Sequence, residues 1–193
     1  MRADAKLKRQ KLIEAATEQF RTRTNSEVTL EGIAKDAGVG IATLYRHFPT
    51  REDLRLACAL NLFDTLDTVL ARTVEEFDTD PRGTWEAAIW RLADYGIGVL
   101  VGALADEHPR SVDTEVLTKR DQFFARVQLL IDKAAAHGLV AADLEPLEMA
   151  AELIVATRPL SATANELFPD VKNRLVRHLI TAWRQPVVPG GGA

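Results

Sequence analysis

Apolar residues recur along this chain at helical spacing and do not cluster in the alternating runs of strands. Ile13, Ala16 and Phe20 lie three and four apart and predict a first helix ending near Arg21, with Thr24, Asn25 and Ser26 as a loop. Thr29 suits the N-cap of a second helix, and Val28 with Ile33 fits a hydrophobic staple across its start. Leu30, Ile33, Ala34 and Ala37 keep the spacing of a buried face, and Gly38 ends the helix where a left-handed backbone is needed. Gly40 opens a third helix. With side chains about 100° apart, Ile41, Leu44 and Phe48 fall in one sector. Ala42, Thr43, Arg46 and His47 fall opposite, with Tyr45 on the flank. So short a helix is not stable alone. Burial of its apolar third must hold it, which leaves the polar remainder for a partner.

Pro49 breaks the chain, and Thr50 with Asp53 forms a capping box for a long fourth helix reaching Phe77, on the order of 40 Å. The run from Asp78 to Gly83 stops it. Thr84 is expected to cap a fifth helix running to about Asp106, before a loop at His108-Pro109-Arg110. Thr118 with Asp121 reads as another capping box, for a helix ending at His137-Gly138. A further helix starts near Pro146 and is disturbed at Arg158-Pro159. The last spans about Pro169 to Trp183, and a tail rich in Pro and Gly begins at Pro186. There are no repeats.

Composition agrees: 47% apolar and 27% charged residues describe a globular chain, and few aromatics with many alanines and leucines favour an all-helical one. The single cysteine, Cys58, excludes an internal disulfide and suits a reducing compartment. No apolar run follows the N-terminal charges, so no secretion signal is expected. The most apolar stretch, Ile97 to Ala105, is far shorter than the roughly 20 residues of a membrane helix. Together these predict a cytoplasmic protein with no membrane partner. The net charge of −4 hides an asymmetry. Residues 1 to 55 hold 11 Lys and Arg against 8 Asp and Glu, so the basic excess lies with the first three helices. Arg2, Lys6, Lys8, Arg9 and Lys11 make a basic arm. It is either a frayed, solvated end or a contact for DNA phosphates.

A short helix presenting Thr43, Tyr45, Arg46 and His47 after a tight turn fits the DNA major groove. Residues 29 to 54 resemble the TetR family of bacterial transcriptional regulators. The matching features are Ile33-Ala34, the Ala37-Gly38-Val39 turn, Thr43-Leu44-Tyr45-Arg46-His47-Phe48, and the ending at Arg51, Glu52 and Leu54. The resemblance is specific over residues 6 to 55, about a quarter of the chain. Beyond them only length and helix count agree. Gly40 stands where the family usually has serine, and Arg51 where it usually has lysine.

The resemblance implies an all-α fold: an N-terminal three-helix helix-turn-helix domain that reads DNA, plus a C-terminal helical domain for ligand binding and dimerisation. We expect residues 1–50 and 51–185 to form these, with 186–193 a flexible tail. By family position Thr29, Thr43, Tyr45, His47 and Arg51 are phosphate contacts, and Gly40, as N-cap, lacks a hydroxyl for one. Ile41, Ala42, Thr43 and Arg46 are the candidates for base edges, since arginine pairs with guanine and small apolar groups meet thymine methyls. Partners expected are a double-stranded operator, a second copy in a homodimer, and a small-molecule effector that releases the repressor. The alternative is a regulator without such an effector.

Phe63, Trp90, Tyr95, Phe124 and Val127 line a pocket or are plain core. Gly96, Gly98 and Gly102, costly inside a helix, make room for a ligand or for a close, kinked helix contact. Arg158 either holds an acidic ligand or faces solvent or a partner subunit. Cys58 would sense oxidants only if acidified. Nothing nearby clearly does so, and it reads as buried filler. Leu147, Ala150, Ala151 and Ile154 would pair with Leu175, Leu179, Ala182 and Trp183 in a dimer interface, or pack within the chain. No cofactor or metal is expected. The di-metal chemistry of helical bundles uses Glu-x-x-His pairs. The residues three before His47, His108, His137 and His178 are Leu44, Ala105, Ala134 and Leu175, so an enzyme is not indicated.

Overall fold

Local signals start and stop the helices in the computed structural model, which describes residues 2–23, 27–95, 97–98, 114–158, 160 and 162–186. The elements are α1 (Arg2–Thr22), α2 (Leu30–Asp36), α3 (Ile41–His47), α4 (Arg51–Glu76) and a 3-10 turn (Phe77–Thr79). After these come α5 (Pro81–Asp94), α6 (Thr114–Ala136), α7 (Pro146–Ala156), α8 (Ala162–Leu167) and α9 (Val171–Ala182). There is no strand among the described residues.

The Thr29 hydroxyl accepts from the Gly32 amide at 3.0 Å and caps α2. The box at α4 is reciprocal: the Thr50 amide donates to Asp53 Oδ2 at 2.9 Å, and the Asp53 amide donates to Thr50 Oγ1 at 3.0 Å. Gly38 has φ +67, and the amides of Gly38 and Val39 reach back to the Lys35 and Ala34 carbonyls, both at 3.0 Å. Gly138, with φ +65, closes α6 with the same pair of bonds, to Ala135 and Ala134, both at 2.9 Å.

Contacts divide the described residues into two compact units, one holding residues up to 64 together with 114–119, the other 65–98 together with those from 120 on. In the first unit α1, α2 and α3 pack on one another. Leu12, Ile13, Ala16, Phe20, Val28, Ile33, Leu44, Phe48 and Leu54 form its core. The staple pair Val28 and Ile33 is buried on both sides, as its spacing predicts. In the second unit α9 packs on α5 and α7, around Trp85, Ile89, Leu153, Val176, Ile180 and Trp183. The Ala141 amide donates to the Trp183 carbonyl at 2.7 Å and ties the turn after α6 to the end of α9.

Several boundaries differ from the sequence reading. The basic arm is helical from Arg2, and the exposed Lys8–Asp4 pair at 2.7 Å supports its first turns. Asp80, not Thr84, caps α5: its carboxylate accepts from the Gly83 amide at 3.1 Å, and Pro81 takes the first helical position. That helix ends at Asp94 with Tyr95 as its cap; Ile97 and Gly98 are again helical, and the rest of the expected continuation through Gly102 to Asp106, with the loop at His108, lies outside the described residues. Thr118 is no cap. Its hydroxyl donates to the Thr114 carbonyl at 2.8 Å inside a helix already under way, and Asp121 accepts from Arg120. The short α8 has no counterpart in the sequence reading.

Candidate nucleic-acid interface

Helix α3 has seven residues, and its placement depends on what it buries. Leu44 and Phe48 are sealed in the first unit, at 0% and 2% exposure. The Phe48 amide closes the helix on the Leu44 carbonyl at 2.8 Å. At the other end Gly40 is an extended N-cap with no side-chain bond, and a Cβ there would meet nothing within 4 Å. Ile41, Ala42, Tyr45 and Arg46 are exposed together on the outward face. Periodicity places Ile41 in the buried sector, yet at the first position of α3 it is 37% exposed. Thr43 and His47 are half-buried, and the His47 ring lies tilted against Phe48 with centroids 6.4 Å apart. Arg46 rests along its own helix, Nε donating to the Ala42 carbonyl at 3.2 Å, a contact a base or phosphate can replace.

Two of the expected contacts have work inside the unit. Thr29 spends an acceptor on its cap but keeps an exposed hydroxyl proton. Arg51 is half-buried: Nη1 donates to the Val28 carbonyl at 2.7 Å, and its Cζ lies 5.8 Å from the centre of the Phe20 ring. It therefore binds the start of α4 to the segment that enters α2. Residues far apart in sequence add to this frame. Gln19, at 2% exposure, donates to Asp36 at 2.6 Å, and Arg23 lies 3.7 Å from the same carboxylate. A Cβ at Gly32 would stand 3.0 Å from Thr29 Oγ1 and 3.3 Å from Gln19 Nε2, so glycine lets the cap and the glutamine share that space. Arg9 stacks over the Phe48 ring at 5.1 Å. None of these pairs leaves a local signal in the sequence.

Cys58 is sealed in the same unit, and burial pushes its thiol up to about 11. It stays protonated at neutral pH, which suits filler rather than an oxidant sensor.

The other candidates differ in burial. Val127 is core, at 1% exposure, and Trp90 and Tyr95 are half-buried on and just after α5. Phe63 is half-buried in α4, and Arg158 is exposed after α7. Phe124 is half-buried, edge-on to Phe123, and borders an open groove of about 420 Å³ with Arg120, Gln128, Pro146 and Leu147. At Gly98 the structure shows a close helix contact. A Cβ there would stand 2.4 Å from the Ile154 carbonyl and 2.6 Å from Thr157 Oγ1, and the Gly98 amide donates to Thr157 at 3.1 Å. Gly96 and Gly102 lie outside the described residues.

Trp183 turns inward. It is 4% exposed, edge-on to Trp85 at 6.2 Å, and Nε1 donates to Glu152 at 2.5 Å. Leu147 and Ala151 remain exposed on α7 and Leu175 on α9, while Ile154 and Leu179 are half-buried. Val155, which the sequence reading missed, extends the α7 stripe at 68% exposure. Among the described residues no cluster could hold a metal ion, and no helix is long and apolar enough to cross a membrane.

A family model described as bacterial regulatory proteins, tetR family, matches residues 12–58. An HTH-type transcriptional regulator of Staphylococcus aureus strain USA300 is 43% identical over 54 residues, 28% of this chain and 29% of that protein. The match thus spans under a third of the length of these curated relatives. A TetR transcriptional regulator from Streptomyces coelicolor superposes with a TM-score of 0.57 at 25% identity, covering 93% of this chain and 99% of that one. The TetR transcription regulatory protein of Mycobacterium vanbaalenii gives 0.61 at 25% identity, covering 95% and 99%. Reduced Escherichia coli NemR, at 15% identity and a TM-score of 0.62 over 94% and 100% of the two chains, shares the fold.

Proposed function

We propose that this chain, a member of the TetR family with its helix-turn-helix at the N-terminus and a helical C-terminal domain, is a cytoplasmic DNA-binding transcriptional regulator. It is read as a regulator and not an enzyme. The observation that carries this reading is α3: a seven-residue helix anchored by buried Leu44 and Phe48 that leaves Ile41, Ala42, Tyr45 and Arg46 exposed. Laid in a major groove, Arg46, Thr43, Ala42 and Ile41 meet base edges. Tyr45, His47 and the free hydroxyl proton of Thr29 meet phosphates and set the register.

The chain acts as a homodimer through the exposed stripes of α7 and α9, so that two copies of α3 enter successive major grooves about 34 Å apart on a near-palindromic operator. Residues 1–50 form the reader and 51–185 the effector-binding and dimerising part. A small molecule held by the second part releases the repressor, and a coupling of about 1–3 kcal/mol suffices for the switch. A second reading, regulation without a small-molecule effector, is favoured by Gly98, whose missing side chain makes room for a close contact with the end of α7.

The test is a gel-shift series on duplexes selected from random sequence by the purified protein. Tyr45→Ala is expected to weaken binding to every duplex. Arg46→Ala is expected to relax the preference at one base pair, costing about 1–3 kcal/mol there. Wild-type behaviour of both variants would remove the assignment of α3. Thermal shift against a metabolite panel separates the two readings of control: stabilisation by one compound favours the effector, and none across the panel favours its absence.

A further inference from the structure

We propose that the first turns of α1 make a second contact with DNA, a basic flank that grips phosphates beside the groove occupied by α3. This rests on the DNA-binding reading above. Helix α1 starts at Arg2, yet its first buried residue is Leu12, so about 15 Å of helix precedes the core. Residues seven apart on a helix lie within about 20° of one line. Lys6, Ile13 and Phe20 are seven apart, and so are Arg9 and Ala16. Ile13, Ala16 and Phe20 are buried at 2% or less, whereas Lys6 and Arg9 are exposed. The inward stripe of α1 thus changes from apolar to basic where the helix outruns the body of the unit.

Its charge is one-sided. Asp4, Glu14 and Glu18 all fall on the opposite side of the helix, where Lys8 is paired with Asp4 at 2.7 Å. The inward extension has no carboxylate to neutralise Lys6 and Arg9. Its position follows from Arg9, whose guanidinium lies 5.1 Å from the centre of the Phe48 ring. Phe48 follows directly on the last residue of α3. Stacking occupies a face of the guanidinium and leaves its in-plane N–H edges for a phosphate. Lys6 stands one turn further out. The ligand is the phosphodiester oxygens of duplex DNA, which carry no sequence information.

The test measures binding of a fluorescein-labelled, mixed-sequence duplex of about 30 base pairs by anisotropy over a range of salt, each phosphate contact contributing about 0.9 to the log–log slope. Lys6→Gln and Arg9→Gln are each expected to flatten the slope by about 0.9 per bound protomer. Lys11→Gln removes the same charge from the outward face and should leave the slope unchanged. Arg9→Gln can loosen Phe48, so Lys6→Gln decides, with thermal melting confirming that each variant is folded. If Lys6→Gln and Lys11→Gln behave alike, the flank makes no contact. Lack of salt-dependent binding by the wild type would overturn the DNA-binding reading itself.

Discussion

Helices α3 and α7 both hold side chains out to solvent, yet they do so with opposite chemistry. The outward face of α3 offers Tyr45 and Arg46 beside Ile41 and the small Ala42 on seven residues. The outward face of α7 offers Leu147, Ala151 and Val155 at successive four-residue steps, with Leu147 and Val155 more than two-thirds exposed. Exposure alone therefore says little. A polar, partly cationic face gains from an anionic polymer it can leave again, whereas a row of aliphatic side chains gains only from a lasting apolar neighbour.

The largest effect should come from replacing that row. An aliphatic side chain buried in a contact contributes about 1.5–3 kcal/mol, and two-fold symmetry counts each one twice. The double variant Leu147→Glu with Val155→Glu is expected to be monomeric in sedimentation at concentrations where the wild type is dimeric, with its helix content retained. A variant that still dimerises would break the comparison by showing that the α7 stripe serves something else.

Next comes the anchor of α3. Leu44→Ala removes no outward group but deletes the buried one that holds the helix, and should cost about 2–5 kcal/mol in urea unfolding. DNA affinity should fall with it. An unchanged midpoint would mean that α3 stands without its buried third.

The smallest effect has the opposite sign. Gly40→Ser places a hydroxyl at an N-cap position with open space around the Cβ, and should stabilise the unit by a few tenths of a kcal/mol. The same hydroxyl can reach a phosphate, so binding should tighten while the sequence preference stays as it was. A loss of stability would show that the N-terminus of α3 is less open than its geometry indicates.

What could be read from the sequence follows the range of each signal. The cap at Thr29, the reciprocal box at Thr50 and Asp53, and the turn at Gly38 each act within a few residues, so the N-terminal helices and the outward face of α3 are legible. The start of α1 was missed although a local sign existed, the Asp4–Lys8 pair one turn apart. Thr118 with Asp121 shows the reverse error. The pattern fits a box, but within an established helix a threonine bonds back to the carbonyl four residues earlier. Arg9 on Phe48, Gln19 on Asp36 and Gly98 on Thr157 arise only when distant segments meet. Trp183 fits an outward stripe by periodicity, but its large ring finds Trp85 within the same unit. The residues expected to line a pocket depend on such tertiary placement throughout, and their side chains occupy core, half-buried and exposed sites.

The sealed Cys58 has a practical use. A thiol held at 0% exposure and kept protonated cannot react with an alkylating reagent while the N-terminal helices stay closed. Modification must wait for the unit to breathe, so the rate of labelling counts the openings. As the sole cysteine in the chain, it supplies a native gauge of how tightly the N-terminal helices are shut, with no engineered probe required.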